Sequence, residues 1–220
     1  MYSNKKVGRI AGVLFLLIFI IGVIVYQVLQ GPVLFSDDYL SATAANRQKI
    51  VLSILLLLFN GTLSVIIATM LFPIFKKYST TLALLYVAFS ILSFVAVAID
   101  NSSVIALLEL SRAYVANNTD SLMSLGTVYY EKHWWTHYLS LLTSCLPLFI
   151  LYYTLYRTKL IPKIISGVGI IAVLLMFIEL LLSILGHGIS MNMMIPIGLI
   201  ELIFPIWLLF KGLNASIEKI

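Results

Sequence analysis

The sequence predicts an all-α membrane protein, a bundle of six transmembrane helices with both termini in the cytoplasm. Three observations carry that expectation. The 220 residues are 61% hydrophobic and only 10% charged, more apolar surface than a soluble core of this length can bury. The apolar residues form six runs that can each cross about 30 Å of hydrocarbon at about 1.5 Å per residue. The basic residues collect at alternate ends of those runs.

The first helix is expected over residues 10–29. Lys5, Lys6 and Arg9 precede it as they would a signal peptide, but Gln30, Gly31 and Pro32 follow and offer no small-x-small cleavage site. It therefore reads as a retained helix. The remaining helices are expected over residues 50–75, 82–101, 138–156, 164–184 and 194–210, within a single domain covering residues 1–220. Connections near residues 76–80 and 158–163 are short, which makes antiparallel hairpins of their flanking helices.

Placing the N-terminus inside puts Lys5, Lys6, Arg9, Lys76, Lys77, Arg157, Lys159, Lys163, Lys211 and Lys219 on the cytoplasmic side. Only Arg47, Lys49, Arg112 and Lys132 remain outside, so the positive-inside rule sets the orientation. The net charge of +5 belongs to helix ends, not to one face or run, which argues against nucleic acid as a partner. The lipid bilayer is the expected partner, and oligomeric state is not encoded in any readable feature. The lone Cys145 lies in an apolar run, as a buried inert thiol does, and permits no intrachain disulfide.

Two outer loops are expected, residues 31–48 and 112–133. The first holds Ser36-Asp37-Asp38 and Ser41, N-cap candidates leading into the second helix. The second holds Asn117-Asn118-Thr119-Asp120, a turn signal before a short helix ending near Tyr130. Tyr129, Tyr130, Trp134, Trp135 and Tyr138 read as an interfacial aromatic belt. The third helix either projects past Asn101 or breaks at Asn101-Ser102-Ser103. Glu109 and Arg112, three apart, are placed to pair on one helical face.

Several elements together resemble one known family. Arg9-Ile10-Ala11-Gly12 opens the first helix, Gly31-Pro32 closes it, and Ala42-Thr43-Ala44-Ala45-Asn46 precedes the second. Tyr156-Arg157-Thr158-Lys159-Leu160-Ile161-Pro162-Lys163 follows later, then Glu201 and Trp207-Leu208-Leu209-Phe210-Lys211-Gly212. In this order they resemble the bacterial membrane family catalogued as domain of unknown function 4386, over about residues 8–213. The resemblance implies a multi-pass protein of the bacterial plasma membrane and carries no activity onto any residue.

Function is sought at the acids Asp100, Glu109, Glu179 and Glu201, because a carboxylate at the bilayer centre costs about 3 kcal/mol and needs a compensating role. Counted from the cytoplasmic helix ends, Glu201 lies about 14 Å deep, Asn60 and Glu179 about 22 Å, and Asp100 and His137 about 27 Å. Gln27 lies at about 25 Å, and His133 is one turn above His137. The polar residues thus favour the outer half. They predict an outward-facing pocket built by Asn60, Asp100, His137, Glu179 and Glu201, with Ser140, Thr143, Ser144 and Ser183 as further candidates. The plainer alternative is that these groups only pair with each other to hold helices together. Pro205 lacks the N–H that would bond the carbonyl of Glu201, so acid and bare carbonyl share one depth, a combination suited to a cation, a proton or a ligand hydroxyl.

Two function classes follow, with assembly as a third. The first is a binding or transport module for a small polar molecule, lipid headgroup or cation. The second is a metal-dependent intramembrane hydrolase. His133 and His137, four apart on one helical face, would supply two ligands, with Asp100 or Glu179 completing a divalent metal site. The third is a membrane subunit whose polar residues serve only assembly with a partner. His187, Met191, Met193 and Met194 suggest copper(I) only faintly, since methionine is an ordinary gap-filler. No nucleophile elbow, phosphate loop or dinucleotide fingerprint is present.

Overall fold

The computed structural model describes residues 3–188 and 191–214. Lys219 and the side chain of Met191 lie outside the described residues. Six of the helices are long and apolar enough to cross a membrane. These are α1 (Asn4–Ile24, prolonged by a π-turn, Val25–Leu29), α4 (Arg47–Phe75), α5 (Thr80–Asn117), α6 (Asp120–Thr158), α7 (Lys163–Ile184) and α8 (Met191–Lys211). Two short helices, α2 (Gly31–Leu34) and α3 (Tyr39–Ala45), bridge α1 and α4. No strand occurs among the described residues.

The helices turn their apolar residues outward as well as inward, which is what lipid as a solvent permits. Leu55, Ile99, Ile171 and Leu199 are all more than half exposed along the outer faces. Inside, a long core runs between helices through Ile67, Leu71, Phe75, Tyr86, Leu151, Tyr152, Phe204 and Leu208.

The six long helices form a ring. Each of α4 to α8 packs against its chain neighbour, and α1 closes the circle between α4 and α8. Closure at the basic end depends on small residues, the usual means of bringing membrane helices close. A Cβ on Gly12 would stand 2.7 Å from the Leu209 nitrogen and 2.8 Å from the Pro205 oxygen, and one on Gly8 would collide with Leu213. Arg9 caps the arrangement by donating to the Phe210 carbonyl at 3.1 Å. Asn214 ties the chain beyond α8 to the α6–α7 turn, donating to the Lys159 and Leu160 carbonyls at 2.9 Å. The turns at 76–79 and 159–162 are as short as expected.

At the opposite end the structure corrects the expected loops. Residues 112–133 are not a loop. The helix expected over 82–101 runs unbroken to Asn117, and the one expected over 138–156 begins at Asp120. At about 1.5 Å per residue these helices are nearly 60 Å long, so the α5–α6 hairpin rises roughly 25 Å beyond a hydrocarbon core. Counting a bilayer's worth of apolar residues finds only the buried part of such a helix. The turn signal itself is where the sequence put it, with Asn118 in the left-handed conformation (φ 43°) between the two helices.

Residues 31–48 are likewise mostly helical, and the cap is Asp38, which accepts from the Ser41 N–H at 3.2 Å. Ser36 and Ser41 cap nothing. α2 and α3 lie against the projecting hairpin, with Val33, Leu34, Leu40, Val104, Leu107 and Leu108 forming a second small core. Gly126 admits Leu40 there, since a Cβ would stand 2.8 Å from that side chain. Tyr130 stacks on Tyr39 at 4.3 Å between ring centroids and donates to the Leu34 carbonyl at 3.0 Å. Part of the expected aromatic belt is therefore a packed cap. Glu109 and Arg112 do pair, at 2.9 Å, on an exposed face of the hairpin.

Candidate functional site

The ring leaves a central cavity of about 430 Å³. Five of the six long helices line it, and only α7 stays behind. α1 contributes Phe15, Tyr26 and Gln27, α4 Asn60 and Ser64, and α5 Tyr86 and Ser93. α6 contributes Ser140, Ser144 and Tyr152, and α8 Glu201 and Phe204. Counted from the basic end, Phe15, Tyr86, Tyr152 and Phe204 lie about 8–9 Å along their helices, Glu201 about 14 Å, and the serines, Asn60 and Gln27 about 17–27 Å. The cavity thus has an aromatic floor, an acid just above it, and hydroxyl and amide groups toward the far end.

The walls carry both acceptors and donors, the Ser64 and Ser93 hydroxyls and the Gln27 amide among the donors. Ser140 and Ser144 donate their hydroxyl hydrogens to the carbonyls of His137 (2.8 Å) and Leu141 (2.6 Å) on their own helix. What they turn outward is oxygen lone pairs. The Oδ1 of Asn60 is buried without a hydrogen-bond partner. No hydrogen bond or ion pair from the described residues reaches the Glu201 carboxylate. Pro205, also in the lining, leaves the Glu201 carbonyl without its i+4 donor. Among the described residues, no lysine, arginine or histidine lines the cavity.

Beside the far end of the cavity lies a different site. His133, Thr136 and His137 occupy one face of α6 at spacings of three and four, and that face meets Asp100 on α5. His133 Nδ1 lies 2.8 Å from Asp100 Oδ1, and His137 Nδ1 lies 3.2 Å from Oδ2. The Thr136 hydroxyl donates to Oδ1 at 2.8 Å. Asp100 is 4% exposed and His133 5%, so this is a buried carboxylate with three donors around it. Both imidazoles spend Nδ1 on the acid, which leaves Nε2 as the outward nitrogen of each.

Tyr26 links the two sites. Its ring meets the His137 ring edge-on, 5.4 Å between centroids, and it also lines the cavity. It sits in the π-turn, where the Gln30 N–H reaches back five residues to the Val25 carbonyl at 2.7 Å. The extra residue rotates Tyr26 and Gln27 to the cavity side, a common use of such turns. Gly31 permits it, since any Cβ there would collide with the Tyr26 carbonyl.

The expected five-residue pocket therefore divides. Asn60 and Glu201 line the cavity. Asp100 and His137 belong, with His133, to the adjoining cluster. Glu179 is 2% exposed on α7 and is not among the residues that line the cavity. Ser140 and Ser144 line the cavity as expected, whereas Thr143 and Ser183 do not. Sequence reasoning missed Thr136, although its position between the histidines on one helical face was a usable signal. It also missed Ser64, Ser93 and the aromatic floor, because aromatic residues in an apolar run look the same whether they face lipid or a cavity.

A closed ring of six membrane-spanning helices around an acid-bearing cavity defines a polytopic membrane protein with an intramembrane cavity. The chain belongs to the family described as "Domain of unknown function (DUF4386)", whose model matches residues 10–212. No curated protein and no solved structure matches the chain.

Proposed function

We propose that this protein is a binding or transport module that takes a small amphipathic molecule into the ring cavity from the outer side of the bacterial plasma membrane. The observation that carries the reading is the roughly 430 Å³ cavity with an unpartnered carboxylate, Glu201, above its floor. An intramembrane acid used only as helix glue would be bonded to another helix, as Asp100 is. A mainly apolar cavity with a few convergent polar groups is the usual form of a small-molecule site. The basic residues clustered at one end of the ring support a cytoplasmic position for that end, and with it an outward direction for the polar part of the cavity.

Cysteine accessibility tests this. In a Cys145→Ala background, a cysteine at Ser144 or Ser64 should react with a small membrane-impermeant thiol reagent added outside intact cells. Failure of both positions to react, from either side of the membrane, would remove the cavity as a binding site. Reaction from the cytoplasmic side alone would reverse its direction.

The competing reading is a metal-dependent hydrolase at His133 and His137. Asp100 meets both histidines at Nδ1 and leaves each Nε2 outward, the arrangement in which a carboxylate orients a ligating imidazole, so Asp100 itself would be an orienting group and not a ligand. Among the described residues, no group of three or more His, Cys, Asp or Glu is placed to hold a metal ion. This donor set supports positioning of the imidazoles over a metal centre. Near-stoichiometric metal in protein purified without chelator, lost in the His133→Ala/His137→Ala variant, would reinstate the hydrolase.

A further inference from the structure

We infer that the cavity selects an organic cation, an amine or quaternary ammonium carrying an apolar body. The inference rests on the binding reading above and names its ligand class. Three independent features of the cavity point to positive charge.

The first is electrostatic. Among the described residues, Glu201 is the one carboxylate in the lining, no basic side chain lines the cavity to oppose it, and none bonds it. A carboxylate in so apolar a setting is costly unless a counter-charge arrives. A bound cation supplies that charge where the fold does not.

The second is the polarity of the hydrogen-bonding groups. The Glu201 carbonyl freed by Pro205 and the lone pairs of Ser140 and Ser144, whose hydroxyl hydrogens are spent on their own helix, are acceptors close to the carboxylate. An anionic ligand would meet oxygen on several sides. An ammonium would meet partners.

The third is the floor. Phe204 lies one turn from Glu201 on α8, with Phe15 against it at 5.5 Å and Tyr152 edge-on at 5.4 Å between ring centroids. Tyr86 and Tyr26 complete an aromatic lining around the same space. Aromatic faces attract cations, quaternary ammonium groups above all, and do so more strongly when water is excluded. Phe204, Tyr152 and Tyr86 are packed on their neighbours and are 1–3% exposed, so the rings with area left for a ligand are Phe15 and Tyr26. A charged head sits near Glu201 and its apolar body follows the walls.

The test uses the Ser144→Cys, Cys145→Ala protein in detergent or nanodiscs, labelled with a small neutral maleimide. Benzyltrimethylammonium should slow labelling at least fivefold. Its uncharged carbon isostere, neopentylbenzene, and the anion benzenesulfonate should each slow it less than twofold at the same concentration. Adding Glu201→Gln should abolish protection by the cation, measured against that variant's own unprotected labelling rate, while an unfolding temperature close to the parent's shows that the variant is folded. Labelling that proceeds but is protected equally by cation and anion, or that stays protected in Glu201→Gln, would overturn the cation assignment and leave the cavity reading standing. A cysteine at Ser144 that never reacts would overturn both.

Discussion

Asp100 and Glu201 are both acids within long apolar helices, yet the fold treats them in opposite ways. Asp100 is clamped by His133, Thr136 and His137 from one face of α6. Glu201 faces a cavity with no partner among the described residues. Burying a charge is tolerable when donors converge on it, and at Asp100 they do, where the α5–α6 hairpin leaves the bilayer. That acid is part of the architecture. At Glu201 the same cost is left open. An acid whose compensation is missing among the described residues is the better place to look for what the protein binds.

The largest effect should come from breaking the clamp. Asp100→Ala leaves the buried His133 Nδ1 and the partly buried His137 Nδ1 without their acid, whereas Thr136 keeps the Lys132 and His133 carbonyls. It should cost about 3 kcal/mol, read as a lowered unfolding temperature in detergent. Asp100→Asn, which keeps the shape and one acceptor oxygen, should cost clearly less. If Asp100→Ala is as stable as the parent, the contrast between the two acids fails. Next in size is the ring closure. Gly12→Leu forces side-chain atoms into the space held by Leu209 and Pro205, at about 2 kcal/mol of overpacking. It should also open the cavity floor and speed labelling of a cysteine at Ser64.

Glu201→Gln should change stability by less than about 1 kcal/mol, because no hydrogen bond or ion pair of the described residues is lost. A large loss of stability there would show that Glu201 is held by the fold after all. The smallest effect belongs to the exposed pair on the hairpin. Glu109→Gln should cost about 0.3 kcal/mol, and less at high salt. That value is the reference for an acid in this chain that neither builds nor binds.

Much of the membrane-embedded half was legible in the sequence. Six apolar runs, short basic turns and the positive-end bias specify a six-helix antiparallel bundle, because lipid demands long helices and membrane topology follows charge. The part above the bilayer was less legible. Residues 112–133 mix apolar with polar side chains, as an amphipathic hairpin covered on one face does, and hydropathy alone reads such a stretch as loop. The site was half legible. The residues that lipid makes conspicuous, Asn60, Asp100, His133, His137 and Glu201, were found, while Phe15, Tyr86, Tyr152 and Phe204 were hidden among other apolar residues.

The sequence by itself determined the number of membrane-spanning helices, which of their ends share a side, and which side chains are too polar to face lipid. These follow from the solvent and from local composition. Tertiary structure alone decided which of those side chains meet. It closed α1 onto α8 across Gly8 and Gly12 and brought Asp100 to the α6 histidines. It turned Glu179 away from the cavity and left Glu201 alone above an aromatic floor. Rotation of a helix about its axis decides all of this. An apolar run of low amphipathicity barely encodes that rotation, which is set by packing against the neighbouring helices.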